Sequence, residues 1–211
     1  MTTVELATPP QRFMLRGVSW KMYQELRDIP EMYHVRMTFD GGNLEMMSPS
    51  FSHERFCRLI DLLIYIWAEE REIDIVRAGM TTVRREGLQK GFEPDDWYYI
   101  QHESLMRGKT ELDFSVDPPP DLAVEVDVSR SSAGKLALYA AFGVPEVWRY
   151  DGQRIEVYTL GPEQQYLAGA ASSCFPGFPL DEAMRILERF SAESERALIG
   201  SFRELIRTLP R

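Results

Sequence analysis

Apolar residues recur along the chain with two different periods, and these periods predict a mixed series of strands and helices. Alternation predicts strands over 34–39, 44–48, 95–100, 122–128, 146–150 and 154–160, with weaker candidates at 73–77, 80–84 and 165–167. Helical spacing predicts helices over 19–27, 52–70 and 132–142, and further helices in the C-terminal part, around Leu198, Phe202, Leu205 and Leu209. Residues 1–15 show neither period, so we expect them to form a loose leader.

This order of elements favours an α/β or α+β class, with a sheet flanked by helices. The chain has 211 residues, of which 44% are hydrophobic and 27% charged, so a sizeable core is expected. We expect a single domain over 1–211, with its core over about 18–160 and a helical extension over about 180–211.

Composition excludes several classes of protein. No uninterrupted apolar run exceeds seven residues, which is too short to span a membrane. Two cysteines make no disulfide framework, and the N-terminus carries no secretory pattern, so we expect a cytoplasmic protein. The net charge of −9 disfavours general electrostatic coating of nucleic acid, although it leaves room for a local basic groove.

The strand over 122–128 carries two carboxylates on an otherwise apolar segment. Glu125 and Asp127 are two residues apart, so both project from the same face of the strand. Burying an unpaired carboxylate costs on the order of several kcal/mol, because the charged group loses its hydration. The pattern fits three alternatives, which are a solvent-exposed sheet edge, pairing with arginines, or oxygen ligands that converge on Mg²⁺ or Mn²⁺.

Two other residues extend the metal interpretation. Asp95 begins the preceding strand, and if the two strands pair, Asp95 and Glu125 lie about 5 Å apart across the ladder. The alternative for Asp95 is an ordinary Pro-Asp turn after Pro94. Lys135 is one of only four lysines and lies near the start of the next helix, where a compact cation is able to contact water or phosphate. Its alternative is a solvated helix lysine.

Several segments together resemble the bacterial Uma family, which is classed with restriction endonucleases. The resemblance extends from about Val18 to Asp151. It is carried by Gly42-Asn43-Leu44-Glu45-Met46-Met47-Ser48-Pro49 with His53-Glu54, by Glu93-Pro94-Asp95, by Pro120-Asp121-Leu122-Ala123-Val124-Glu125-Val126, and by Lys135-Leu136-x-x-Tyr139 through Gly143-Val144-Pro145-Glu146-Val147-Trp148.

The resemblance implies a PD-(D/E)XK nuclease fold, with a central mixed sheet flanked by helices and with additional N-terminal strands and C-terminal helices. It also implies that Asp95 is the aspartate of the pattern and Glu125 the second carboxylate. Asp127 stands where the pattern has lysine, and Lys135 resembles a migrated replacement.

The resemblance leaves the remaining polar group of the site open. Glu45, His53 or Glu54 is expected to supply it. His53 and Glu54 rank lower, because residues at a helix N-terminus often serve as caps.

The function expected from these residues is hydrolysis of phosphodiester bonds, with Mg²⁺ or Mn²⁺ bound by Asp95, Glu125 and Asp127. DNA is the expected substrate, and RNA is the less favoured alternative. The alternative is a non-catalytic binding or assembly module on a nuclease-like scaffold. A homodimer is also expected, with the helix over Phe56–Trp67 and the helix around Phe202 as its contacts.

Overall fold

A computed structural model describes residues 11–127 and 133–210 of the chain. In chain order its strands are β1 (Gln11–Arg16), β2 (Arg36–Asp40), β3 (Asn43–Ser48), β4 (Val76–Arg77), β5 (Val83–Arg85), β6 (Lys90–Phe92), β7 (Asp96–Tyr99), β8 (Leu122–Val126), β9 (Glu146–Tyr150), β10 (Ile155–Leu160) and β11 (Tyr166–Gly169). Its α-helices are α1 (Trp20–Arg27), α2 (Phe51–Glu70), α3 (Glu103–Met106), α4 (Ala133–Phe142), α5 (Leu180–Arg189) and α6 (Glu195–Thr208).

Most predicted elements are present, and the differences are local. The predicted strand end at Val128 and helix start at Ser132 lie outside the described residues. The prediction of a loose leader is wrong for Gln11–Arg16, because β1 pairs with β3 over its whole length. The short strand β6 and the single-turn helix α3 were not predicted.

The chain divides into two compact units, and the predicted single-domain organisation stays a prediction. The first unit contains the chain up to Arg55 and the segment Thr81–Glu93. The second contains Phe56–Met80 and the chain from Pro94 onwards.

The first unit is built on an antiparallel sheet with the strand order β1-β3-β2-β6-β5. Ser19 caps α1, since its side chain accepts a hydrogen bond from the backbone N–H of Met22. The helix buries Trp20 and Tyr23, and the Tyr23 ring stacks on Phe39 with centroids 5.0 Å apart. This aromatic contact fixes α1 on the sheet.

The second unit is built on a mixed sheet with the strand order β11-β10-β9-β8-β7-β4. Strands β8 and β9 are parallel, and the other pairs are antiparallel. A parallel pair needs a crossover, which α4 supplies between these two strands. Strand β8 therefore lies inside the sheet, and all five of its residues are buried. The exposed-edge alternative for its carboxylates is wrong.

One large apolar core holds the second unit together. It joins α2, α5 and α6 to the apolar face of β8, where Leu122, Val124 and Val126 project. Phe202 of α6 and Ile64 of α2 are fully buried in it. The helix faces that were expected to contact a second subunit are thus covered by the chain itself. A homodimer stays a prediction, but these two helix faces are not available as its contacts.

Candidate active site

The two acids that were expected to meet, Asp95 and Glu125, lie on neighbouring strands of the second unit. Strands β7 and β8 pair with Asp96 opposite Val124. Continued by one residue, this antiparallel register sets Asp95 opposite Glu125. The Oδ2 atom of Asp95 accepts a hydrogen bond of 2.6 Å from the backbone N–H of Val126. Asp95, which is 4% exposed, is therefore tied to β8 beside Glu125.

The Glu125 side chain has one polar partner for each of its oxygens. Lys135 Nζ donates to Oε2 over 2.7 Å, and the Tyr139 hydroxyl donates to Oε1. Lys135 and Tyr139 are four residues apart on α4, so they share one face of that helix. Helix α4 follows β8 directly in the chain, which explains how a lysine ten residues after Glu125 reaches it.

Burial makes the pairing of Glu125 energetically important. Glu125 is 2% exposed and Tyr139 is fully buried. Burial first, and the nearby charge of Glu125 second, raise the pKa of Tyr139 well above its usual range. Tyr139 therefore stays protonated and remains a hydrogen-bond donor to the carboxylate.

The second carboxylate of β8 is paired with an arginine. Arg149 Nε donates to Asp127 Oδ2 over 2.8 Å, and Nη1 of the same guanidinium donates to Glu156 Oε2 over 3.1 Å. Arg149 lies opposite Glu125 in the parallel register of β8 and β9. The arginine alternative considered from the sequence thus describes Asp127, whereas Glu125 has a lysine partner.

The remaining candidates, Glu45, His53 and Glu54, belong to the first unit. Glu45 accepts a bond of 3.1 Å from Arg12 on the neighbouring strand β1. Glu54 accepts a bond of 2.6 Å from Arg36. The nearby His53 ring first, and the charge of Arg36 as well, lower the pKa of Glu54.

His53 lies in the first turn of α2. Its backbone N–H donates to Ser50 Oγ over 3.2 Å, so Ser50 caps the helix. Cys57 follows one turn later on the same helix face. A carboxylate oxygen of Asp95 lies within 4.8 Å of Cys57 Sγ. Sequence reasoning assigned no role to Cys57.

A separate buried cluster lies where β7 faces the core. The Tyr98 hydroxyl lies 3.1 Å from Asp61 Oδ1 and 3.0 Å from Asp96 Oδ2, and Arg77 pairs with Asp61. Burial first, and the charge of Asp61 second, raise the pKa of Asp96 to about 6. Because Leu122 and Val124 share this face, the cluster lies across the sheet from the face that carries Glu125.

The arrangement around Glu125 has the chemical character of a site for a hard divalent cation. Asp95 and Glu125 offer carboxylate oxygens, which Mg²⁺ and Mn²⁺ prefer. Lys135 adds a positive charge beside Glu125, where a phosphate would need compensation. Tyr139 and Arg149 are the residues that sequence reasoning did not place in the site. The spacing of Lys135 and Tyr139 by one helical turn was the available signal for the tyrosine.

The fold and family of the chain follow from comparison with known proteins. The fold is similar to a crystal structure of a protein from Anabaena variabilis ATCC 29413 that is described as a "putative nuclease". The similarity has a TM-score of 0.53 at 12% sequence identity, and it covers 88% of this chain and 99% of the other. The chain thus shares the fold of that protein, and its mixed α/β class is as predicted.

The family follows from the sequence itself. Residues 20–183 match the Uma2 family, which is described as "Putative restriction endonuclease". The chain therefore belongs to the Uma2 family, and the resemblance noted from its motifs is confirmed. No curated protein matches the chain. In the part of the chain that the structure describes, no helix is long and apolar enough to cross a membrane.

Proposed function

We propose that this protein is a metal-dependent endonuclease that hydrolyses phosphodiester bonds in DNA. Membership of the Uma2 family supports a nuclease-like function. The observation that carries the proposal is a buried carboxylate bonded to an ammonium group, with a second buried acid bonded to the backbone of the same strand. Lys135 Nζ lies 2.7 Å from Glu125 Oε2, and Asp95 is bonded to the backbone of the next residue, Val126.

The residues present suit a divalent ion with oxygen ligands. Asp95 and Glu125 would hold Mg²⁺ or Mn²⁺, because both side chains are carboxylates. Both are also buried, and they lie opposite one another in the continued register of β7 and β8. When bound, such an ion supplies an activated water and compensates charge on the phosphate. Asp127, which the sequence also suggested as a ligand, pairs with Arg149.

The protein's own groups prepare this site. Tyr139 donates to Glu125 Oε1 and Lys135 to Oε2, so the carboxylate is held in one orientation. The Lys135 ammonium group, whose side chain is 13% exposed, is placed to orient a water or to neutralise negative charge on the substrate. Burial of the carboxylates strengthens these interactions, since the local dielectric is low.

The overall charge of −9 requires a local explanation for binding of DNA. We infer that basic side chains near the site, or a homodimer that brings two sites to one duplex, provide the attraction. Sedimentation at tens of micromolar would show the dimer, and a monomer at that concentration would remove it from the proposal.

Cleavage of supercoiled plasmid in Mg²⁺ or Mn²⁺ tests the proposal. Glu125→Gln and Lys135→Ala are expected to lose activity by 100-fold or more, a loss on the order of a removed charge-stabilising group. Two variants of the second unit serve as matched controls. Glu103→Gln removes a carboxylate paired with Arg107, and Lys109→Ala removes a lysine paired with Asp117. Both controls are expected to cleave like the wild type, and equal activity in all five proteins would refute the assignment.

A non-catalytic binding or assembly module is the second candidate. It is favoured by the finding that each carboxylate of the β8 segment already faces a cation of this chain, Lys135 for Glu125 and Arg149 for Asp127. Calorimetric titration with Mn²⁺ separates the two candidates. Micromolar binding that Asp95→Asn abolishes supports the enzyme, and no binding supports the module. Single-stranded RNA included in the cleavage assay tests RNA as the substrate.

A further inference from the structure

We propose that Arg149 is a phosphate-contacting residue of the site and that Asp127 positions Arg149 instead of binding the metal ion. This inference rests on the proposed function. It changes the role of Asp127 that the sequence suggested, and it adds a residue that no motif of the chain pointed to.

The first argument is the position of Arg149 in the sheet. Arg149 lies directly opposite Glu125 in the register of β8 and β9. Residues opposite one another on adjacent strands project from the same face, with the strands about 4.8 Å apart. The guanidinium group therefore emerges on the face of the sheet that carries Glu125, beside the candidate metal ligand.

The second argument is the partner of Asp127. Its Oδ2 atom accepts from Arg149 Nε over 2.8 Å, and the Asp127 side chain is 2% exposed. Asp127 therefore holds the Arg149 guanidinium in one orientation through a charge-assisted hydrogen bond.

The third argument is that the guanidinium keeps donors for a substrate. A guanidinium has five N–H donors. Nε donates to Asp127 and Nη1 donates to Glu156, and the Tyr158 hydroxyl lies beside the group. Among the residues that the structure describes, at least two of these donors have no hydrogen-bond partner, and the side chain is 14% exposed. A planar guanidinium with adjacent free donors matches the oxygens of a phosphate.

The second carboxylate that binds Arg149, Glu156, is itself held by hydrogen bonds. Glu156 Oε1 accepts from Arg154 over 2.6 Å, and Glu156 Oε2 accepts from the Tyr158 hydroxyl over 2.8 Å. These two hydrogen bonds orient the Glu156 carboxylate. Arg149 is therefore held between two oriented carboxylates, those of Asp127 and Glu156. Such a fixed group loses little side-chain entropy when a phosphate binds.

Two measurements that do not depend on turnover test the inference. The first is calorimetric titration with Mn²⁺ in the absence of DNA. Asp127→Asn and Arg149→Met are expected to keep the Mn²⁺ affinity of the wild type within twofold, while Asp95→Asn loses it. A tenfold loss of affinity in Asp127→Asn would make Asp127 a metal ligand and overturn the inference while leaving the proposed function intact. If the wild type binds no Mn²⁺, the proposed function fails, and the inference fails with it.

The second measurement is the affinity for a labelled DNA duplex in Ca²⁺ as a function of KCl, with intact DNA checked on a gel. Arg149→Met is expected to weaken binding about tenfold and to reduce the slope of log affinity against log salt by about one, as for one lost phosphate contact. Arg149→Lys is expected to recover most of the slope, because it restores the charge without the planar fork. Arg107→Met, which removes an arginine paired with Glu103 and Asp74, is the control and keeps the wild-type slope.

A structural role alone would not change the salt slope. An unchanged slope and affinity in Arg149→Met would therefore overturn the inference. If Arg149→Met fails to fold, the double variant Asp127→Asn with Arg149→Gln removes both charges together, and the same loss of slope is expected of it.

Discussion

Removal of Lys135 should destabilise the folded protein, because it leaves the Glu125 carboxylate buried without its cation. Glu125 is 2% exposed, so its carboxylate is poorly solvated once the ammonium group is removed. Breaking a buried pair by removal of one partner costs about 3–5 kcal/mol. Tyr139 keeps its hydrogen bond to Glu125, and the Lys135 side chain is 13% exposed, so we expect the lower end, about 3 kcal/mol for Lys135→Met.

The companion variants separate the pair from the packing. Glu125→Gln keeps an oxygen that accepts from Tyr139 and leaves the ammonium group close to solvent, so its cost is expected to be about 1–2 kcal/mol. The double variant Glu125→Gln with Lys135→Met no longer holds an unpaired buried charge. Its cost is expected to be about 2 kcal/mol, well below the sum of the single costs.

Urea unfolding followed by tryptophan fluorescence, in buffer with EDTA, measures these free energies. The midpoint should move while the slope stays constant, since the surface exposed on unfolding changes little. A cost below about 1 kcal/mol for Lys135→Met, or additive costs in the double variant, would refute the reasoning, because Glu125 would then be compensated by something other than Lys135.

Three further predictions concern stability elsewhere in the chain. The pKa of Asp96 is raised to about 6, so the contribution of this carboxyl to the stability of the metal-free protein should fall as pH rises from about 4 to 6. Asp96→Asn should therefore gain about 2–3 kcal/mol over the wild type at pH 8 and nothing below pH 4. The same difference between the two proteins at both pH values, by thermal and urea unfolding, would contradict this. Glu146→Gln should cost about 3 kcal/mol in urea unfolding, because this fully buried carboxylate accepts from Trp148 Nε1 and from four donors in residues 172–174; a cost under about 1 kcal/mol would count against it. Gly91→Ala should cost about 1–3 kcal/mol, because a Cβ there would lie 2.3 Å from the Tyr23 hydroxyl oxygen, whereas Gly87→Ala, with no atom within 4 Å, is the control; equal stability of the two would show that the ring moves aside.

The strands, turns and helix ends near the site could be predicted from the local sequence, because the signals for them lie in residues that are close together in the chain. Alternation located β8, Asp151-Gly152 marked the turn between β9 and β10, and Gly143, with a φ of 76°, ends α4 as expected of a C-terminal glycine. Motifs spread over the chain gave the family and hence the fold class, and both are confirmed.

Tertiary structure decided which groups became partners. The candidate strands over 73–77 and 80–84 are close in the sequence, yet β4 and β5 lie in different sheets. Strand β4 pairs with the distant strand β7, whereas β5 pairs with β6, which follows it in the chain. The β1 segment has too weak a pattern to predict a strand, and its pairing with β3 supplies the order.

For the site too, the sequence determined some features and the tertiary structure decided others. The sequence by itself determined that Asp95, Glu125 and Lys135 are unusual residues, since carboxylates on an apolar strand and a rare lysine can be recognised without coordinates. Only the fold decided that Lys135 and Tyr139 share Glu125, and that Asp127 pairs with Arg149, which is 22 residues away. The parallel register of β8 and β9 sets that last pair, and register depends on the packing of the whole sheet and not on the local sequence.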